Sequence, residues 1–377
     1  MVGSDDRSAQ AAAPPGGGDP SRSPHRQGSA SNETARRLAM LRDMARIRAF
    51  EHEAVAAMRS GQAPGVVHPS IGQEGVAVGV CANLRRADRI TSTHRGHGHA
   101  IAKGADARAM MLELHGRAGG SCGGKGGSMH IADFAVGMLG ANGVVGAGIP
   151  IACGAAQAIR LRRAVRSAEA AARLAGGQRN REPAGAEEDD AIVACFFGDG
   201  AVNRGPFLEG MNWAALYRLP VLFVCEDNGF AAFTRNSAVT AGGGPAVRAE
   251  ACGVPAIAVD GEDALAVDAV AAELVARIRG GAGPQFLHAR CYRWEGHTGT
   301  DAAAYRPAEE AAAARDRDCI RRLAAALATA GVAAEEIAAI EAEAAEEMAS
   351  HRAAAMAAPW PDPGAAFSDV QDAGAPA

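Results

Sequence analysis

Residues 191–228 read AIVACFFGDGAVNRGPFLEGMNWAALYRLPVLFVCEDN. An unbroken apolar run, AIVACFF, stops at a glycine–aspartate–glycine turn. An amphipathic stretch, FLEGMNWAALYRL, follows, and a second apolar run, PVLFVCE, closes the segment. Short apolar runs on either side of a helical pattern predict a β-α-β unit whose strands are buried on both faces. Parallel neighbours end at the same sheet edge, so residues just past the two runs share one crevice. Asp199 and Asn228 hold those positions, 228 − 199 = 29 residues apart.

Outward from this unit the alternation continues. GVPAIAVD (253–260) and PQFLHARCYR (284–293) predict two more strands, with an alanine-rich helix over 264–279 between them. Upstream, Leu38, Leu41, Ala45, Ile47 and Val55 recur at helical spacing within a helix expected from Thr34 to Arg59. Further helices are expected over 105–115 and 147–175, and from about Pro307 onward. The fold class is therefore α/β, with a mostly parallel sheet flanked by helices in three layers. One domain is expected over 34–360, interrupted by an exposed polar loop at about 176–190. Residues 1–33 are rich in Ala, Pro, Gly and Ser and are expected to be a disordered tail; 361–377 are expected to be a flexible one.

Composition excludes several function classes. The 377 residues carry a formal net charge of −5, so no broad basic field points to nucleic acid or an anionic membrane. No stretch is apolar enough for long enough to span a bilayer. The eight cysteines are scattered, without a C-x-x-C pair. They read as buried thiols of a reducing compartment, and a cytoplasmic location is expected.

Several loops carry chemistry. Asp199 and Asn228 offer one carboxylate and one amide oxygen, a hard set that suits Mg2+ keeping phosphate and water ligands. Gly198 and Gly200 let backbone approach a diphosphate closely, and Ala201 is expected to start a helix whose amides face it. The alternative is a strand-end turn with an Asp cap and an unrelated Asn. STHRGHGHA (92–100) crowds His94, Arg95, His97 and His99; it lacks a Cys or Glu partner at zinc spacing and reads as an anion-binding loop or a surface loop. GGSCGGKG (119–126) matches a nucleotide phosphate loop up to its last position, where Gly126 replaces Ser or Thr. Helix-like residues precede it where a strand is required, so it reads as a flexible glycine loop packed near a ligand. GANGVVGAGIP (140–150) is a turn leading into a helix. CYRWEGHTGTD (291–301) places Arg293, His297 and Asp301 after a strand, as a phosphate contact or a solvated loop.

Taken in order, IRAFE, HPSIGQEGVAVG, THRGHGHAIAKG, GGKGGSMHI, GANGVVGAGIP, FFGDGAVNRG, LPVLFVCEDN and YRWEGHTGTD resemble a known family over roughly residues 38–310. It is the alpha subunit of the thiamine-diphosphate-dependent first component of 2-oxo acid dehydrogenase complexes, nearest its pyruvate and acetoin branch. The resemblance implies the three-layer thiamine-diphosphate-binding fold. It implies Mg2+ held by Asp199, Asn228 and the Phe230 carbonyl, and a diphosphate held by Gly200, Ala201, Arg95, Arg293 and His297. His94 stands where the family has tyrosine. Gly143 and Val145 match backbone positions that hold the aminopyrimidine ring, and His97 and His297 match active-site histidines. CEDN replaces the commoner CENN, and Thr298 stands where mitochondrial members carry a regulatory serine.

The resemblance further implies a beta subunit that supplies the glutamate activating the cofactor, in an alpha2beta2 heterotetramer, and a lipoyl acyltransferase core that takes the acyl group. Glu74 is the internal carboxylate nearest to that role by motif, but the family pattern does not assign it. On this reading the chain alone is inactive. A branched-chain 2-oxo acid dehydrogenase alpha subunit, disfavoured by GDG where that branch tends to GEG, and a non-catalytic Mg2+-diphosphate-binding regulatory subunit are the alternatives.

Overall fold

The computed structural model describes residues 24–175 and 190–368. The expected polar loop, apart from Asp190, and the outermost parts of both expected tails lie outside the described residues.

In chain order the helices and strands are α1 (Pro24–Arg59), α2 (Glu74–Cys81), β1 (Arg89–Thr91), α3 (His97–Ala102), α4 (Ala107–Leu114) and α5 (Gly148–Ala175). The expected unit follows as β2 (Val193–Gly198), α6 (Gly205–Leu216) and β3 (Val221–Asp227). Then come β4 (Phe230–Ala231), β5 (Thr234–Arg235), α7 (Gly244–Ala251), β6 (Ala256–Asp260), α8 (Ala264–Arg279) and β7 (Gln285–Arg290). Three more α-helices follow: α9 (Ala308–Asp316), α10 (Cys319–Thr329) and α11 (Ala334–Ala357).

The main sheet has five parallel strands in the order β1-β2-β3-β7-β6. Side chains along a strand alternate between faces, and here the alternation sorts the apolar run into two cores. Ile192, Ala194, Phe196, Leu222 and Val224 face one core, beneath α1, α2 and α8. Val193, Cys195, Phe197, Val221, Phe223 and Cys225 face the other, beneath α5, α6 and α7. A strand buried on both sides needs no polar alternation, which is why AIVACFF and PVLFVCE read as continuous apolar runs.

The structure departs from expectation at the chain's edges. β1 is a three-residue strand that the short polar-flanked run RIT does not announce. α1 starts at Pro24, ahead of the expected Thr34. Its early turns are anchored by a two-pronged bond from Arg36 to Asp268 of α8, at 2.7 and 2.6 Å, and helix propagates cheaply from an anchored turn. The expected C-terminal tail begins with a single 3-10 turn over Pro363–Phe367, capped by Asp362 accepting from the Gly364 amide. Beyond it, Lys125 Nζ donates to the Ser368 carbonyl at 2.9 Å. Among the described residues no helix is long and apolar enough to cross a membrane.

α5 and α6 pack closely because Gly210 has no side chain. A Cβ there would lie 2.4 Å from Ile149 Cγ2, and β-branched Ile149 is fully buried. Gly210→Ala is expected to cost about 1–3 kcal/mol through overpacking, despite the better helix propensity of alanine. Urea unfolding checks this; an unchanged or raised midpoint would show that the two helices separate freely.

Candidate active site

The C-terminal ends of β2 and β3 open into a cavity of about 360 Å3. The parallel register that pairs Gly198 with Glu226 delivers Asp199 and Asn228 to the same edge. His94, Arg95, Gly143, Val145, Asp199, Gly200, Ala201, Asn228, Phe230, Arg293 and His297 all line the cavity. Ala201 sits in a 3-10 turn, Asp199–Asn203, and not at a helix start; α6 begins only at Gly205. Gly205 and Pro206 supply that later start, since proline is suited to the first turn of a helix.

Asp199 is buried, and its Oδ2 has no hydrogen-bond partner. Burial and the adjacent Asp227 carboxylate push its carboxyl up to about 7. Burial also works against charge on Asp227, but His288 Nε2 bonds to its Oδ2 at 2.8 Å and holds it below the usual range. Of the neighbouring carboxylates, then, Asp227 is held charged by an imidazole, whereas for Asp199 the Gly200 amide and Arg293 are outweighed by burial and by Asp227. Asn228 bridges the cavity floor: its Nδ2 donates to Gln73 Oε1 at 3.3 Å, and its Oδ1 accepts from the Phe230 amide at 3.2 Å.

The opposite charge lies elsewhere in the wall. Arg95 is buried and donates to the Pro69 carbonyl at 2.6 Å and the His297 carbonyl at 3.1 Å. Arg293 is 1% exposed and donates to the carbonyls of Glu295 and Ala232 and to Tyr305 Oη. These bonds go to uncharged oxygens. Burial, then mutual repulsion, push Arg95 down to about 9.

Three imidazoles cluster beside them. The His68 ring centroid lies 4.7 Å from that of His94 and 4.9 Å from that of His297. Burial, with Arg95 next, pushes His68, His94 and His297 down to about 3, 2 and 4, so all three are neutral at pH 7. Their ring nitrogens converge within 4.8 Å, a spacing open to a metal. The two nearby guanidiniums oppose a cation there and suit an anion, with neutral imidazoles as supplementary donors.

The crowded loop at 92–100 divides. His94 and Arg95 face the cavity, whereas His97 and His99 point into polar networks and do not line it. His97 is fully buried, with Nδ1 2.9 Å from Glu51 Oε2 and Nε2 2.9 Å from Ser128 Oγ. His99 meets Ser92 and Glu226 and stacks on Phe196. Glu74 is also fully buried and outside the cavity wall, bound by Arg48 at 2.5 and 3.0 Å.

The glycine loop serves an anion from its own chain. Glu113, at the end of α4, is fully buried, and its carboxylate accepts from the amides of Cys122, Gly124, Gly126 and Gly127 at 2.7–3.0 Å. Gly120 lies so close that a Cβ would fall 2.4 Å from Glu113 Oε2. The loop's shape is that of an anion cradle. The resemblance to a phosphate loop is thus physical, but its amides are already used.

His68 and Gln73 complete the wall and were not singled out from sequence. Their signal was the HPSIGQE segment leading into α2, which carries no chemistry on its own until the fold folds it over β2 and β3.

The dehydrogenase E1 component family matches residues 42–364. The acetoin:2,6-dichlorophenolindophenol oxidoreductase alpha subunit of Cupriavidus necator is 43% identical over 335 residues, 88% of this chain and 93% of that protein. Its Bacillus subtilis namesake is 44% identical over 273 residues, 72% of this chain and 74% of that protein. The pyruvate dehydrogenase E1 component subunit alpha of Rhizobium meliloti is 35% identical over 335 residues, 88% of this chain and 89% of that protein.

Two outcomes follow from the buried acids. In ligand-free, chelator-treated protein, Asp199→Asn is expected to raise the melting temperature at pH 8, where most of the wild type carries the charge. The folded carboxyl titrates near 7, above its unfolded value of 3.8, so the wild type recovers stability as pH falls and the advantage of the variant shrinks by pH 5.5. Thermal unfolding at the two pH values checks the sign. Separately, Glu113→Gln leaves one acceptor oxygen where the loop needs two. It is expected to cost about 2 kcal/mol and to open the loop to limited proteolysis; wild-type resistance would mean that other contacts hold the loop.

Proposed function

The chain belongs to the dehydrogenase E1 component family, and from that premise we propose that it is the alpha subunit of a thiamine-diphosphate-dependent acetoin or pyruvate dehydrogenase. The unpartnered Asp199 Oδ2, sharing a cavity with buried guanidiniums that bond to neutral groups, carries this reading. A divalent cation bound to a diphosphate satisfies both poles at once: the cation meets the carboxylate and the phosphates meet the guanidiniums.

In this proposal Asp199, Asn228 and the Phe230 carbonyl would hold Mg2+. The amides of Gly200 and Ala201, with Arg95, Arg293 and His297, would hold the diphosphate. His94, neutral and beside them, takes the tyrosine position as a further donor. The backbone of Gly143 and Val145 would hold the ring end. When bound, thiamine diphosphate supplies a nucleophilic carbon and an electron sink for cleavage beside a carbonyl group. The chain's own residues bind, orient and exclude water. His297 stays neutral in the working pH range, which suits a hydrogen-bond donor in the cavity wall.

The acids in the cavity wall are Asp199 and Glu226. Asp199 is assigned to the cation, and Glu226 lies 3.2 Å from His99 Nε2. The carboxylate that activates the cofactor is therefore assigned to a beta subunit. Val144 and Val145 at the cavity mouth are 64% and 45% exposed, and nearby Phe233 is 57% exposed. Such an apolar rim favours closure by a second chain. An alpha2beta2 heterotetramer in the cytoplasm, passing its acyl product to a lipoyl acyltransferase core, completes the proposal. The higher identity to the acetoin enzymes favours acetoin over pyruvate as substrate.

The test is co-purification with the beta subunit and dye-coupled assay on acetoin, pyruvate and a branched 2-oxo acid. Acetoin is expected to turn over fastest, and the chain alone not at all; turnover without a partner would overturn the shared site. Asp199→Ala in the assembled pair is expected to abolish Mg2+–thiamine diphosphate binding by calorimetry. Unchanged affinity would remove Asp199 from the cation site.

A further inference from the structure

One fully buried charge has no part in the chemistry above. Glu51 lies within α1 at 0% exposure, away from the cavity wall. Its Oε1 accepts from the Ser70 amide at 2.9 Å and from Ser70 Oγ at 2.7 Å. Its Oε2 faces His97 Nδ1 at 2.9 Å, and His97 Nε2 faces Ser128 Oγ at 2.9 Å. A buried carboxylate is tolerated when it is paired and hydrogen-bonded, and here each oxygen is bonded.

Each of these contacts ends within two residues of a different part of the cavity wall. Ser70 follows His68 and Pro69, and the Pro69 carbonyl is the acceptor for Arg95. His97 opens α3, directly after the His94–Arg95 turn. Ser128 precedes Met129, which lines the cavity. Three segments distant in sequence thus converge on one carboxylate. Serine, histidine and glutamate in this order have the donor pattern of a hydrolytic triad. Ser128, however, is 8% exposed and absent from the cavity wall, so its hydroxyl has no substrate to attack.

We propose that Glu51 is a positioning residue for the cofactor site: one carboxylate on α1 that fixes the spacing of the His68, Arg95 and Met129 walls and thereby the affinity for the diphosphate. The inference rests on the cofactor reading above and adds a residue outside the cavity to it. A further consequence is electrostatic, since the negative charge of Glu51 counteracts the loss of basicity of buried Arg95.

The test is a thermodynamic cycle in the assembled alpha–beta pair. Mg2+–thiamine diphosphate is titrated calorimetrically into wild type, Ser70→Ala, Ser128→Ala and the double variant. The two serines contact opposite arms of one network, and each change removes only a hydroxyl. Each single variant is expected to weaken binding by about tenfold. The double variant is expected to lose less than the product of the two, and the coupling should vanish in a Glu51→Gln background. A merely structural role would lower the melting temperature without coupling the two affinities. Wild-type affinity in both single variants, or losses that multiply independently, would overturn the role of Glu51 alone. Absence of binding to the wild-type pair would overturn the cofactor reading and this inference with it. If Glu51→Gln fails to fold, the serine cycle decides.

Discussion

The site depends on the register of two strands. β2 and β3 run parallel with Gly198 opposite Glu226, so the chain leaves both at one edge. That pairing places a metal-type carboxylate and an amide oxygen together without any loop having to be long or precisely folded. It also brings Asp227 against Asp199, which burial alone would penalise. The same geometry thus gathers these oxygens and the electrostatic cost of holding them together.

The protein keeps the charges of the cavity from cancelling. Arg95 and Arg293 bond to carbonyls and a phenol, and Asp227 is satisfied by His288. Asp199 is left with an oxygen, Oδ2, that has no hydrogen-bond partner among the described residues. An internal ion pair would have been the more stable arrangement of these groups, and it would have closed the site to an ionic ligand. The cost falls on a scaffold able to carry it, a sheet with apolar cores on both faces.

Much of this was legible in the residues because the strands are short and buried on both sides. AIVACFF and PVLFVCE show no alternation, yet their length and punctuation mark them as parallel strands, and the 29-residue spacing of Asp199 and Asn228 follows from one crossover. What stayed hidden depended on contacts between distant segments. β1 is only three residues long and is a strand only because β2 lies beside it. His97 reads like its neighbours in THRGHGHA, but the helical turn that starts there sends it inward to Glu51 while His94 faces the cavity. No spacing rule shows that Glu51 and Ser128 share a histidine. The helix expected at Ala201 failed for a local reason, since the first turn after the aspartate is 3-10 and proline fixes the later start.

The glycine loop around Glu113 has a consequence for how this protein meets its surroundings. A cradle of amides normally takes its anion from solution, and its occupancy then follows salt, phosphate and nucleotide levels. Here the anion is a side chain on the preceding helix, tethered 9 to 14 residues away, so its local concentration is set by the covalent chain. The loop is filled whatever the cell contains, and it does not draw free phosphate away from the cavity. A segment with the composition of a ligand sensor behaves as fixed architecture, insensitive to the metabolic state in which the enzyme works.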